Sequence, residues 1–274
     1  MFPAEALHWL PVSTAAAACG VDVQGRAEAT RRFLVEAAAE LFEERGYAGT
    51  SISDISTRSG RTSGAIYFHF ANKERLALAV VEATLGTWPE MIARVRAAPG
   101  AALEKLVALS FGVARAFRDD VVVRAGSRLW MERKAIDAPV PGPFGAWTET
   151  VADLLREAEA EGELAGGVAP GAAALTVVYA FFGLHTVSEA LDGRALIEER
   201  LRDMWLLLLR ALQADPDPAA LLARAVPAAP ESARLAEPAD AVRTAAPLGP
   251  AGPLDPTQPT EPAGPAEPVA PAQA

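Results

Sequence analysis

The feature that most constrains this chain is a helical rhythm interrupted only by turn residues. From residue 26 to residue 213 apolar side chains recur at three- and four-residue intervals, and no stretch alternates as a half-buried strand would. The first segment, 26–45, sets Phe33, Ala37 and Leu41 on one face, with Leu34, Ala38 and Phe42 beside them, and Gly46 closes it. Thr50 or Ser51 offers a hydroxyl N-cap to a helix carrying Ile52 and Ile55. Gly60 ends that helix, and Thr62 caps a very short one carrying Ala65 and Ile66. A fourth begins near Asn72 and Lys73 and runs through Leu76, Val80 and Val81 to Arg96, before Pro99-Gly100. Further helices are expected at 101–118, 120–134, 144–161, 170–192 and 194–213, with Pro139, Pro141 and Pro143 making the one long internal break. The expected fold class is all-α.

The two ends differ from this body. Residues 1–24 show no periodicity, and read as a flexible N-terminal arm or the product of an upstream start codon. Residues 214–274 hold 14 prolines, eight acidic residues and three arginines. Proline at that density opposes helix and sheet alike, so this segment is expected to be a disordered acidic tail. The tail carries −5 of the net −10. A negative total is unfavourable for a nucleic-acid partner, yet phosphate contact is local. Residues 24–75 carry eight basic side chains against seven acidic ones, and so are about neutral.

Composition also excludes several classes. The single cysteine, Cys19, permits no internal disulfide and no multi-cysteine zinc site, and fits a reducing cytoplasm. With three histidines, metal chemistry is thinly supplied, and no cofactor or metal is expected. No uninterrupted apolar run reaches the roughly 20 residues that span a bilayer. No Lys or Arg precedes Arg26, so a secretory start is not expected. No membrane partner is expected. An enzyme built on a helical bundle would need a Glu-x-x-His pair, a phosphate-binding glycine loop or a nucleophile–base set, and none stands out.

The stretch from Thr50 to Phe70 places two short helices around Gly60, behind a long helix. A helix-turn-helix has this form: the second helix enters the major groove while the first braces it across the backbone. Glycine serves the turn because it accepts positive φ without steric cost. Small residues at Ser63, Gly64 and Ala65 would let the second helix sit close to DNA.

The run from Gly60 to Glu74, with Glu40-Leu41-Phe42 and Gly46-Tyr47 before it, resembles the signature of the tetracycline-repressor family over residues 26–80. Phe68-His69-Phe70, the apolar run after Leu76, Arg128-Leu129-Trp130 and the segment Pro143 to Trp147 are similar to one subgroup, the γ-butyrolactone receptors of antibiotic-producing actinobacteria. Arg61 departs from the apolar residue usual at that turn position. The resemblance implies a DNA-binding domain at 25–72 and a ligand-binding and dimerisation domain at 73–213. It implies that Thr50, Tyr67, His69 and Lys73 contact phosphates or brace the unit, with Ser51 and Arg61 nearby. Thr62, Ser63, Gly64 and Ile66 would lie where base edges are read. Lys73, at a helix N-terminus where a cation is disfavoured, would find its partner in a phosphate. The implied partners are an inverted-repeat DNA operator, a second copy of the chain and a small apolar effector. The implied setting is the bacterial cytoplasm, at the nucleoid.

In the body, Phe111, Trp130, Phe144, Trp147, Val177 and Phe181 are the expected effector contacts, Trp147 being the one carried by the resemblance. Helix 73–96 is expected to carry the signal, as the one element joining the DNA-reading unit to the body. The apolar stripes of the last two helices, with Leu184 and Leu191 on one and Leu201, Trp205 and Leu208 on the other, read as a four-helix dimer interface. His185, among apolar neighbours, reads as a satisfied interface histidine. The alternatives within the same fold are a pseudo-receptor or a multidrug-type regulator answering to an antibiotic or another apolar ligand.

Overall fold

The computed structural model describes residues 15–231, with side chains from Gly25 onward. Among these residues the helices are α1 (Ala15–Arg45), α2 (Ile52–Ser59), α3 (Ser63–His69), α4 (Lys73–Ala97), α5 (Ala102–Asp119), α6 (Val121–Met131), α7 (Phe144–Ala160), α8 (Pro170–Asp192), α9 (Ile197–Leu212) and α10 (Pro218–Ala228). One 3₁₀ turn, Arg133–Ala135, follows α6, and the described residues contain no strand. Their ends have local causes. Ser51 and Asp54 form a reciprocal capping box at the start of α2, and Gly60 ends it in the left-handed region at φ 64°. Thr62 caps α3 by accepting the Ala65 N–H at 3.2 Å, and Asn72 caps α4 by accepting from Arg75 at 2.8 Å.

Two apolar cores result. The N-terminal one gathers Leu34, Leu41 and Phe42 of α1, Ile55 of α2, Ile66 of α3 and Leu76 and Val80 of α4. The larger one joins α5, α7, α8, α9 and α10 around Phe111, Leu154 and Trp205. Two helices serve both. The first half of α4 packs in the N-terminal core, while its Trp88, Met91 and Val95 pack in the body. On α6, Val122, Ala125 and Leu129 face the N-terminal core and Val123 faces the body. The expectation that α4 alone connects the two units is therefore corrected: it is the only link along the chain, but α6 is a second link through space.

Two boundaries also change. The helix expected from residue 26 begins at Ala15, so only residues 1–14 of the expected arm remain, and these lie outside the described residues. The expected tail is not featureless at its start, because Pro218–Ala228 forms α10 against α5 and α9. Pro218 takes a first-turn position, where the missing N–H would have no helical partner anyway. Pro227 falls only in the last turn. Asp217 caps the helix through the Ala220 N–H at 3.0 Å. Leu221, Leu222 and Ala225 are then buried to 2%, 1% and 1% exposure. Buried Arg115 of α5 receives the other end, donating to Ala229 O at 3.0 Å and pairing with Glu198 at 3.1 Å. Residues 232–274, the rest of the expected tail, lie outside the described residues.

Helices α4 and α8 are long and apolar enough by composition to cross a membrane. Half of the apolar window of α4 and a third of that of α8 are buried inside the protein itself.

Candidate DNA interface and effector cavity

Helix α3 divides sharply between an inner and an outer face. Ile66 and Phe70, four residues apart, are buried at 0% and 4% exposure. Between them Tyr67 and Phe68 stand out at 53% and 83%. A phenyl ring that exposed at the end of a recognition helix is the residue the sequence reading missed. The i, i+4 burial of Ile66 and Phe70 already forces position 68 outward, which is the signal that would have found it. His69 is half-buried with its ring edge-on to Phe68 at 5.2 Å. Gly64 is exposed, and a Cβ there would meet only Thr62 Oγ1 at 3.9 Å. The protein's own packing does not require glycine at that position; the outer surface is what stays low.

Of the expected DNA residues, Ile66 and Thr50 are internal, while Lys73 and Arg61 are half-buried. Ile66 belongs to the core and presents nothing to a base edge. Thr50, 2% exposed, donates its hydroxyl to Leu41 O at 3.1 Å and Gly46 O at 2.9 Å, fastening the end of α1. It braces the unit. Lys73 Nζ donates to Tyr47 O at 3.0 Å and lies 4.1 Å from the Tyr47 ring centroid. That carbonyl and ring answer the cation without any phosphate. Arg61 is half-buried with its guanidinium 5.9 Å from the Phe33 ring, so it packs as the apolar residue it replaces would. Ser51, Thr62 and Gly64 remain exposed and Ser63 is half-buried. Arg58 is paired with Glu40 at 2.8 Å and Glu44 at 3.0 Å. These partners raise the Arg58 pKa and lower that of Glu44. Asp54 is likewise held below its usual value by the Ser51 hydrogen bonds of the capping box.

A cavity of about 410 Å³ opens between α4, α5, α6, α7 and α8. Trp130, Phe144 and Trp147 line it, with Trp88, Phe117 and Phe182. The rings interlock: Trp88 meets Trp147 at 5.5 Å, and Phe144 meets Trp130 at 4.8 Å and Phe182 at 4.7 Å, all edge to face. Val177 and Phe181 line instead an adjoining hollow of about 40 Å³, which Trp147 also borders. Phe111, 0% exposed, borders neither and is core. His185 is buried at 5% exposure inside the protomer and lines the large cavity, so it is not an interface residue. A wider hollow of about 530 Å³ between α1 and α4 is edged by Glu28, Arg31, Arg32, Glu82, Glu90 and Arg94, a charged surface unsuited to an apolar molecule.

The cavity wall reaches the DNA-reading unit directly. Arg124 in the first turn of α6, Arg128 in its last turn and Glu132 at its C-cap line the cavity together with Glu43 of α1. Arg124 pairs with Glu43 at 3.0 Å, and Arg128 donates to the Glu43 carbonyl and to Glu132 at 3.0 Å. The Glu132 carboxylate accepts the Tyr47 backbone N–H at 2.6 Å. Tyr47 follows Gly46, whose φ of 73° turns the chain from α1 towards α2.

Comparison with known proteins decides what this pairing of units is. Residues 34–80 match the bacterial regulatory proteins of the tetR family, and residues 100–214 match the tetracyclin repressor-like C-terminal domain. The A-factor receptor protein of Streptomyces griseus is 34% identical over 189 residues, 69% of this chain and 66% of its own length. The crystal structure of a γ-butyrolactone receptor described as ArpA-like superposes with a TM-score of 0.62 at 32% identity, covering 74% of this chain and 97% of the receptor. CprB of Streptomyces coelicolor, solved with its operator sequence, superposes with a TM-score of 0.66 at 32% identity over 76% of this chain and all, 100%, of CprB. The chain belongs to the TetR family. It is a transcription regulator that acts by binding DNA, not an enzyme, and as such it works in the cytoplasm.

In this TetR-family regulator the surface of α8 carries one more feature. Leu175, Tyr179, Val187 and Leu191 repeat at four-residue spacing and are 41%, 69%, 56% and 66% exposed. Gly183 falls at the remaining position of that ridge, with nothing within 4 Å of a Cβ. Of the expected interface residues, Leu191 lies on this ridge, while Leu184 and Leu208 are half-buried against the core. Leu201 and Trp205 are 0% exposed, and Trp205 Nε1 donates to Ser110 at 2.8 Å. They hold the protomer together and meet no partner.

Proposed function

We propose that this protein is a repressor that grips an inverted-repeat operator as a homodimer and releases it when a small apolar effector, of the γ-butyrolactone kind or similar in shape, enters the aromatic cavity. The observation that carries this reading is the sharing of α6 between the cavity wall and the Gly46–Tyr47 turn, which puts an effector one side chain away from the DNA-reading unit. The outer face of α3, with Thr62, Ser63, Gly64, Tyr67 and Phe68, meets the major groove. Ser51, His69 and Lys73 lie at its margins. Few long donors are present, so sequence is read through apolar contact and DNA shape as much as through hydrogen bonds. The ridge Leu175–Tyr179–Val187–Leu191 pairs with its copy around Gly183, matching the two-fold of the operator. The protein is then nucleoid-associated while repressing. The density of aromatic rings around the cavity also favours a second reading, in which a planar antibiotic-like molecule is the effector.

The test is selection of an operator from random duplexes, followed by anisotropy titration with and without candidate effectors. A two-fold repeat and a loss of affinity on adding effector are expected. Tyr179→Asp should give monomers in light scattering and abolish operator binding. A Tyr179→Asp protein that remains dimeric overturns the interface assignment.

A further inference from the structure

One part of the cavity wall is chemically unlike the rest. Four buried side-chain polar atoms have no hydrogen-bond partner among the described residues, and three of them, His185 Nδ1, Ser188 Oγ and Arg194 Nε, fall within ten residues at the end of α8. Buried polar groups normally find partners, so each exception asks for one. His185 and Arg194 both line the cavity. They are 5% and 6% exposed.

The backbone goes out of its way to place Arg194. After Gly193 at φ 63°, Arg194 adopts φ 70°, the only positive φ outside glycine among the described residues. A residue with a long side chain rarely takes that conformation. Its N–H donates to Ser188 O at 3.1 Å, and that of Gly193 donates to Glu189 O at 3.0 Å, closing the helix in a Schellman-like turn. Where such a turn usually packs an apolar side chain, this one folds a guanidinium back over Phe117, 5.7 Å from the ring centroid. His185 stacks on the same ring at 4.3 Å. Glu189 takes Nη1 of Arg194, and Nε–H is left facing no acceptor.

Charge then selects among ligands. Three arginines line the cavity, Arg124, Arg128 and Arg194, and each is already paired with one glutamate, Glu43, Glu132 and Glu189. The set is neutral. His185 adds no charge, since burial first, and then Arg194, push its pKa down to about 4. A carboxylate brought in here would be an unmatched anion stripped of water. An uncharged oxygen would accept from Nε–H and meet the neutral imidazole at no such penalty.

We propose that Arg194 and His185 form a recognition site for an uncharged oxygen, a carbonyl or hydroxyl of the effector, and that the same site rejects the carboxylate of the same skeleton. This rests on the cavity being the effector site. The rings of Trp88, Trp147, Phe144 and Phe182 hold the apolar body, and the end of α8 orients it.

The test titrates tryptophan fluorescence of the full-length protein near neutral pH with γ-undecalactone and with its ring-opened form, 4-hydroxyundecanoate. The two share a carbon skeleton and differ in charge. The lactone should bind at least about tenfold more tightly. Arg194→Gly removes the guanidinium while suiting the backbone, and His185→Phe keeps the stack on Phe117 while removing the nitrogens. Each should weaken lactone binding about tenfold with melting unchanged or higher. Equal or tighter binding of the hydroxy acid, binding of neither probe at millimolar concentration, or full lactone affinity in both variants overturns the proposal. Operator release is read separately by anisotropy. Arg194-dependent lactone binding that leaves the operator bound overturns the repressor reading alone. Release by the hydroxy acid overturns the selectivity alone.

Discussion

The contact between Glu132 and the Gly46–Tyr47 turn can be tested by a double-mutant cycle. Glu132→Ala deletes a charged acceptor from the Tyr47 N–H, 2.6 Å away. Hydrogen bonds of this kind contribute about 1.5–3 kcal/mol. Gly46→Ala acts twice. Its φ of 73° adds about 1–2 kcal/mol of backbone strain for any L side chain. Its Cβ would also lie 2.5 Å from Glu132 Oε1, so the carboxylate must leave and the same hydrogen bond is lost. The singles are therefore expected to cost about 1.5–3 and about 2.5–5 kcal/mol, and the double no more than the larger of these. Non-additivity should equal the hydrogen bond counted twice, about 1.5–3 kcal/mol. Equilibrium urea unfolding at one fixed protomer concentration measures all four proteins, since dimerisation adds a concentration term. Additivity within about 0.5 kcal/mol would show that the two positions share no interaction, and the proposed path from α6 to the turn would fail with it.

Three further outcomes follow from burial and charge. Phe68→Ala should leave the melting temperature unchanged and weaken operator binding about tenfold or more, whereas Ile66→Ala should lose about 2–5 kcal/mol of stability; the reverse pattern in melting and anisotropy would invert the two faces of α3. Buried neutral His185 titrates near 4 when folded, against 6.5 for an ordinary imidazole, so the unfolded chain takes the proton first. Its stabilisation is complete above pH 6.5 and declines as pH falls towards 4, by up to about 3 kcal/mol; His185→Gln should flatten that part of the stability–pH curve, and superimposable curves would contradict the burial. Leu222→Ala should destabilise by about 2–5 kcal/mol in urea unfolding, limited by whatever holds α10 in place, while a change within about 0.5 kcal/mol would mean that α10 does not pack.

The fold was largely legible because helix ends are local chemistry. Gly46, Gly60, Thr62, Asn72 and Pro143 can each be recognised without a partner in space, and the helices between them fall where the apolar rhythm puts them. What periodicity cannot say is which neighbour a stripe faces. Leu201 and Trp205 form as wide a stripe as any dimer helix, but they are covered within the protomer, where α5, α8 and α10 pack on α9. On α8 the surface ridge runs beside a buried stripe, and only the packing of its neighbours separates exposed Leu191 from buried Val177. Thr50 and Lys73 stand out in the sequence as polar residues at helix starts, yet a sequence cannot show that the Leu41 and Tyr47 carbonyls are their acceptors. α10 was hidden for a different reason. A count of prolines over 61 residues averages away the positions of Pro218 and Pro227, which fall at the two ends of the helix. His185 and Arg194 were illegible as a site because they become one only when the turn after Gly193 folds back on Phe117.

Why an effector should move the DNA-reading unit at all follows from how α6 meets α4. Gly126 of α6 lies so close to Thr84 of α4 that a Cβ there would stand 2.1 Å from the threonine hydroxyl. That hydroxyl donates to Val80 O at 3.1 Å within its own helix and to Val122 O at 2.8 Å across the gap. The contact is made by a short β-branched side chain already fixed by two hydrogen bonds, which leaves little to absorb a displacement. Thr84 and Gly126 also line the cavity. An effector that presses on this wall therefore has two choices, to be rejected or to shift α4 and α6 together. Because α4 begins at Lys73, held to the Tyr47 carbonyl, and α6 is capped by Glu132, held to the Tyr47 N–H, both helices would deliver such a shift to the same residue. On the proposed function, effector and operator would then compete for the position of one turn. The affinity change available is set by how differently the effector binds the two positions, and about 1–3 kcal/mol of difference suffices for a 5–150-fold release.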